Sequence, residues 1–306
     1  MPRIRSVVRD IAIMAVTVGM CAVIGLITTG KSEARPLGAT PTQYVALGDS
    51  YTSGPFIPLQ TGQPPGCARS DHNYPSMVSG TLHPAIFRDV SCSGATTNDM
   101  TAPQTTSQGT NDPQLNALTG KTDLVTLGIG GNDIGFAQVI VTCAKISSTR
   151  LDGAACRDYY NRGGTDELAQ RIRAIAPKIA SVLNGIRSRS SGATIVVVGY
   201  PTILPDSGPG CYPIVPLSAG DVAYLRQTEK TLNAMLADQA GRAGAEFADT
   251  YRSSIGHDVC QLPGTKWLEG LVPTAPAAPF HPNELGMRNS ANAVLRALHT
   301  QILAGR

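Results

Sequence analysis

The chain has 306 residues, 42% of them hydrophobic, enough for one large or two medium domains with a substantial core. Aromatics make up only 5% and Trp267 is the single tryptophan, so a platform for stacking sugars or bases is poorly supplied. The formal charge of +3 falls to +1 once residues 1–34, with four basic and two acidic side chains, are set aside, which argues against phosphate-backbone binding.

Residues 1–34 read as an export signal. Arg3, Arg5 and Arg9 precede the apolar run Ile11 to Thr29, and Ser32-Glu33-Ala34 sets small residues where a leader peptidase inspects, placing cleavage near Ala34. The run is long for a secretory core, so an uncleaved membrane anchor is the alternative. Cys21, mid-run after Met20, reads as apolar filler. Either way the chain is expected to be secreted or held at the cell envelope. Residues 35–43 read as a short linker, and 44–306 as the domain. Six cysteines remain outside the signal: Cys67, Cys92, Cys143, Cys156, Cys211 and Cys260. An even set on an exported chain favours disulfides, no Cys-x-x-Cys or His-x-x-x-His spacing supports a metal site, and sequence alone leaves the pairing open.

Tyr44 to Gly48 is strand-like and runs into Gly48-Asp49-Ser50, a turn that would leave one hydroxyl exposed where a strand ends. A Pro/Gly-rich loop follows, and Cys67 to Pro75 reads as a turn and a short helix. Ile86 to Ser91 is a second strand, ending near Gly94. Asp123 to Ile129 is a clearer one, apolar nearly throughout as a strand buried on both faces should be, and it ends in Gly130-Gly131-Asn132-Asp133. Residues 136–164 and 201–218 read as Pro/Gly-rich insertions, too long for ordinary connections and placed to shape the mouth of a site. Residues 165–187 carry Leu168, Ile172, Ile175, Ile179, Val182 and Ile186 at helical spacing, with Pro177 positioned to kink them. A buried strand at 194–199, a helix at 219–240, a short strand at 246–251 and a helix at 283–303 complete the chain. This alternation predicts a parallel sheet with helices on both faces, and neither a repeat nor a second core separates out.

Four ordered blocks between residues 44 and 291 resemble the SGNH/GDSL hydrolases: Gly48-Asp49-Ser50, Ser91-Cys92-Ser93-Gly94-Ala95, Gly130-Gly131-Asn132-Asp133 and Phe280-His281-Pro282-Asn283. The Gly-x-Ser-x-Gly elbow of the α/β-hydrolases fits less well, because its second glycine would fall at Thr52. The resemblance implies an α/β fold, a three-layer αβα flavodoxin-like domain with a parallel sheet of about five strands. Secreted actinobacterial members imply that neighbouring cysteines pair, Cys67 with Cys92, Cys143 with Cys156 and Cys211 with Cys260.

On the same resemblance Ser50 is the nucleophile, and His281 the general base that takes its proton and later returns one to the leaving alkoxide. The backbone N–H groups of Ser50 and Gly94 and the side-chain amide of Asn132 would form the oxyanion hole. Asp49 is expected to brace the turn. His257, beside Asp258, is the alternative base, while His72, His83 and His299 read as loop or surface residues. Most members of the family carry an aspartate three residues before the histidine, but here that position is Ala278. A Ser-His dyad is therefore expected, with the carbonyl of Ala278 or a near neighbour accepting from Nδ1 and leaving Nε2 free. Asp258 or Asp249 at Nδ1 would overturn it.

These residues imply a secreted serine esterase or lipase that cleaves carboxylic esters through an acyl-enzyme, without metal or cofactor. An acyltransferase or a carbohydrate deacetylase would use the same residues. A non-catalytic binding module of the cell envelope predicts loss of the nucleophile or base, and neither is lost. Phe56, Ile57, Ile214, Val215, Trp267 and Leu268, in loops expected to flank the site, lean toward acyl chains over acetyl groups. The expected partner is an ester of a lipid or acylated glycan, with no nucleic acid and no obligate protein partner, the chain acting as a monomer.

Overall fold

The computed structural model describes residues 40–64 and 66–304. The export signal, its cleavage site and most of the linker lie outside them. In chain order the elements are β1 (Gln43–Gly48), α1 (Ser50–Ser53), α2 (Tyr74–Leu82), β2 (Ile86–Asp89), a hairpin of β3 (Gln104–Thr106) and β4 (Gly109–Asn111), and β5 (Leu124–Gly128). They continue with α3 (Phe136–Ser147), α4 (Ala155–Tyr160), α5 (Glu167–Arg189), β6 (Thr194–Val198), α6 (Ala219–Arg242), β7 (Glu246–Ala248), α7 (Thr250–Ser253) and α8 (Glu284–Ala304).

Five strands form one parallel sheet in the order β2-β1-β5-β6-β7. Counted within that sheet the order is the flavodoxin-like 2-1-3-4-5, whose connections reverse direction on either side of β1. Such a reversal opens a crevice at the carboxyl ends of the strands, because successive crossovers leave toward opposite faces.

Side-chain alternation divides the core. Val45, Leu47, Val125, Leu127, Ile195 and Val197 pack with Ile172, Ile179 and Leu183 of α5 and Leu232 and Leu236 of α6. Tyr44, Ala46, Leu124, Val196 and Val198 face the other way, against Val78 of α2 and Met287, Ala291 and Val294 of α8. Both faces of the sheet are thus covered, and β5 is buried at every position. The long helices begin where short polar side chains can bond a free N–H: Asp166 accepts from Ala169 N, and Ser218 from Asp221 N.

One sequence reading needs correction. Residues 136–164 contain no proline and are mostly helical, forming α3 and α4. Val139, Ile140, Cys143 and Ser147 make a buried stripe on α3, which the Cys143–Cys156 bridge fastens to α4. There is also a further apolar cluster, in which α3 and α4 pack with Ile203, Leu204, Val215, Leu217 and Val222 under the loop that ends at Phe280. The other two bridges join Cys67 to Cys92 and Cys211 to Cys260. Among the described residues, no helix is long and apolar enough to cross a membrane.

Candidate active site

The turn after β1 is built around close approach. A Cβ on Gly48 would collide with the Thr52 side chain and stand 2.7 Å from the Gly128 carbonyl, so only glycine fits. Asp49 N–H bonds Gly128 O across to β5 at 2.9 Å, and the Asp49 side chain caps α1 by accepting from Tyr51 N at 2.9 Å. Ser50 is the first residue of α1, 9% exposed. Among the described residues, neither its N–H nor that of Gly94 meets an acceptor.

Folding brings His281 to this turn from 231 positions away, and its Nε2 lies 2.8 Å from Ser50 Oγ. Nδ1 is 2.8 Å from the Pro279 carbonyl. A carbonyl can only accept, so Nδ1 carries the proton and Nε2 presents its lone pair to the hydroxyl. The near neighbour, not Ala278, is the partner, because the Ala278 carbonyl already accepts the His281 backbone N–H at 3.1 Å. Phe280, between them, has φ +59°, an uncommon conformation for a bulky residue, which turns the Pro279 carbonyl back toward the ring. Asp258 is occupied with Cys260 N and Asp249 with Arg252 N. The alternative histidine, His257, stacks on Trp267 with centroids 3.6 Å apart and is bonded to Thr265 O, so it does not share this site. Burial lowers the pKa of His281, and its bond to Pro279 offsets part of that.

Asn132 and His281 line one cavity with Ser50; Gly94 is not in its wall. One Asn132 N–H bonds Ala95 O at 2.8 Å, tying two blocks together, and the same amide nitrogen carries a second hydrogen. Asp133 accepts from Thr97 N and Oγ1, which fixes the same junction.

Two tyrosines that sequence reasoning passed over complete the arrangement. Tyr200, just beyond β6, donates its O–H to Asp49 at 2.6 Å and accepts from Gly131 N at 2.7 Å, so the first and third blocks share one phenol. Burial pushes Asp49 up to about 7, with the Tyr200 bond opposing. Tyr51 donates to Phe280 O at 2.5 Å, and its ring lies 4.8 Å from that of His281. The available signal for Tyr200 was a polar aromatic at the carboxyl end of a buried strand.

Two clefts meet at His281. An inner cavity, partly open to solvent, is walled by Phe136, Tyr200, Ile203, Glu229 and Leu232. An outer cleft runs along α3 past Val215, Pro216, Leu271 and Phe280. Of the loop residues expected to flank the site, Val215 lines this cleft, Ile57 and Leu268 are buried, and Phe56 and Ile214 are 65% and 69% exposed.

The sequence profile of the GDSL-like lipase/acylhydrolase family matches residues 46–288, nearly the whole described chain. The chain belongs to that family. Among its GDSL relatives, Lipase 2 of Streptomyces coelicolor is 37% identical over 94% of this chain and 96% of that one, and the Streptomyces rimosus lipase is 31% identical over 84% and 86%. Of solved structures, phospholipase A1 from Streptomyces albidoflavus NA297 superposes with a TM-score of 0.70 at 28% identity, covering 84% of this chain and 99% of that one. The extracellular lipase of Streptomyces rimosus gives 0.67 at 30%, with the same coverage. This GDSL chain is a carboxylic ester hydrolase.

Proposed function

We propose that the protein is a secreted serine esterase or lipase acting on acyl-lipid esters through an acyl-enzyme on a Ser50–His281 dyad. The observation that carries this is the 2.8 Å separation of His281 Nε2 from Ser50 Oγ, with Nδ1 held by Pro279 O. His281 takes the Ser50 proton as Oγ attacks the ester carbonyl, and the tetrahedral oxyanion lies against the N–H groups of Ser50 and Gly94 and the free amide hydrogen of Asn132. The imidazolium then protonates the leaving alkoxide. Water, deprotonated by the same nitrogen, releases the acid and frees Ser50. A carbonyl at Nδ1 preserves the tautomer but brings no negative charge to the imidazolium. The apolar outer cleft supports an alkyl chain as the acyl part. Secretion rests on the amino-terminal signal and on the solved relative named as an extracellular lipase.

The test is a series of p-nitrophenyl esters from acetate to palmitate, hydrolysed by the chain from residue 35 and by Ser50→Ala. We expect hydrolysis by the parent, and a loss of at least about 10³-fold in kcat for the variant. Equal turnover by both would remove Ser50 as nucleophile.

A further inference from the structure

Glu229 of α6 stands in the wall of the inner cavity at 5% exposure, although the hydrolytic steps do not use it. Its one protein partner among the described residues is Ile203 N–H, 3.3 Å from each carboxyl oxygen. Neighbouring charges are committed elsewhere. Lys230 pairs with Asp206 at 2.6 Å, Arg226 bonds the carbonyls of Pro205 and Gly208, and Tyr251 bonds Asp206. Burial pushes the Glu229 pKa well up, against weaker opposing pulls from Ile203 N–H and Lys230. A buried carboxyl without a cation is neutral, and a neutral carboxyl carries an O–H. That hydrogen has no protein acceptor among the described residues, since the Ile203 contact uses only an acceptor site.

The outer cleft differs. Apart from Lys145 and His281 its lining is apolar, and it shares Phe136, Ala137 and His281 with the inner cavity. A substrate whose carbonyl carbon sits at Ser50 can therefore extend into both. Hydrocarbon matches the outer cleft, and a group with an oxygen acceptor matches the inner one.

We infer that the inner cavity takes the alcohol side of the ester and that Glu229 is a specificity-determining residue, donating its O–H to a free hydroxyl of that alcohol while the alkyl chain lies in the outer cleft. This rests on the Ser50–His281 hydrolase reading. A site that bonds a substrate hydroxyl discriminates against the analogue lacking it, because the buried donor is then left unpaired.

The experiment compares kcat/KM for glycerol 1-monooctanoate and propyl octanoate, which share the acyl chain and differ by two hydroxyls. Wild type should prefer the glycerol ester by about tenfold. Glu229→Leu should lose that preference chiefly through faster turnover of propyl octanoate, which no longer leaves a buried donor unpaired, with a thermal melt as its folding control. Glu229→Gln keeps a neutral donor and should retain most of the preference. Equal loss on both esters, or Glu229→Gln behaving as Glu229→Leu, would overturn the inference. So would a wild type that does not distinguish the two esters, a measurement that needs no variant to fold. Failure of wild type to hydrolyse either ester would remove the hydrolase reading and this inference together, whereas hydrolysis of both without preference removes the inference alone.

Discussion

At the scale of single residues, the site is a set of proton positions decided by burial. His281 is half-buried with no carboxylate at Nδ1, so its charged form is disfavoured and its pKa lies below the ordinary 6.5. The base is the neutral form, and lowering the pKa extends the range over which it is neutral. We expect the acid limb of kcat/KM to fall off below pH 6.5, read from a pH profile on a soluble ester. Asp49 shows the opposite shift, up to about 7. Between the ordinary carboxylate value and 7 the folded protein holds a proton that the unfolded chain has released, so stability from this group falls as pH rises across that window. Asp49→Asn should remove that dependence, seen as a smaller stability difference between pH 4.5 and pH 7.5 in urea unfolding. It should also lower kcat by roughly tenfold or more, because an amide has one acceptor oxygen where the carboxyl uses one for Tyr51 N–H and the other for Tyr200 O–H, so one of these bonds is lost and the turn loosens.

At the scale of elements, the loop from Lys266 to Asn283 carries His281 and is held from beneath. Glu269 is buried and lies 2.9 Å from buried Lys266, and its carboxylate also accepts from Thr274 N–H and Oγ1 and from Asn283 Nδ2. Burial works against the carboxylate, yet the donors and the ammonium outweigh it and hold the Glu269 pKa below its ordinary value. That stability is present above the ordinary glutamate range and is lost as pH falls through the depressed value. Lys266→Met should cost about 3–5 kcal/mol in denaturant unfolding, because it strands a buried carboxylate, and it should lower activity by displacing the 266–283 loop. Asn283 also accepts from Leu285 N and Gly286 N, so the cap of α8 and the ion-pair network share one side chain.

At the scale of the whole molecule, the three bridges span 25, 13 and 49 positions. Loop-closure entropy ranks their contributions at about 3.5, 3 and 4 kcal/mol in that order. Removing Cys211 and Cys260 together as alanines should therefore lower Tm the most, by about 10 °C, and Cys143 with Cys156 the least, in thermal scans without reductant. The second pair should show an effect beyond stability. It ties α3 to α4, and α3 walls both clefts through Phe136 and Ala137, so its removal should raise KM more than it lowers kcat.

Much of this was legible in the linear chain, because strands buried on both faces and long amphipathic helices repeat their signal over many residues. Leu124 to Gly128 and Leu168 to Ile186 fall where their patterns predict. The blocks around Ser50, Gly94, Asn132 and His281 could be singled out because together, and in that order, they resemble those of the GDSL family. Helix α3 was missed since its stripe spans only about three turns and its β-branched residues resemble a loop or strand. What only the tertiary structure decided are contacts between distant segments, which leave no local pattern: the Pro279 carbonyl at Nδ1, Tyr200 between Asp49 and Gly131, and Glu229 facing the cavity. The sequence by itself determined which groups could react and in which elements they sit. Their mutual distances, and the desolvation that sets their protonation, exist only after the sheet and its covering helices have closed around them.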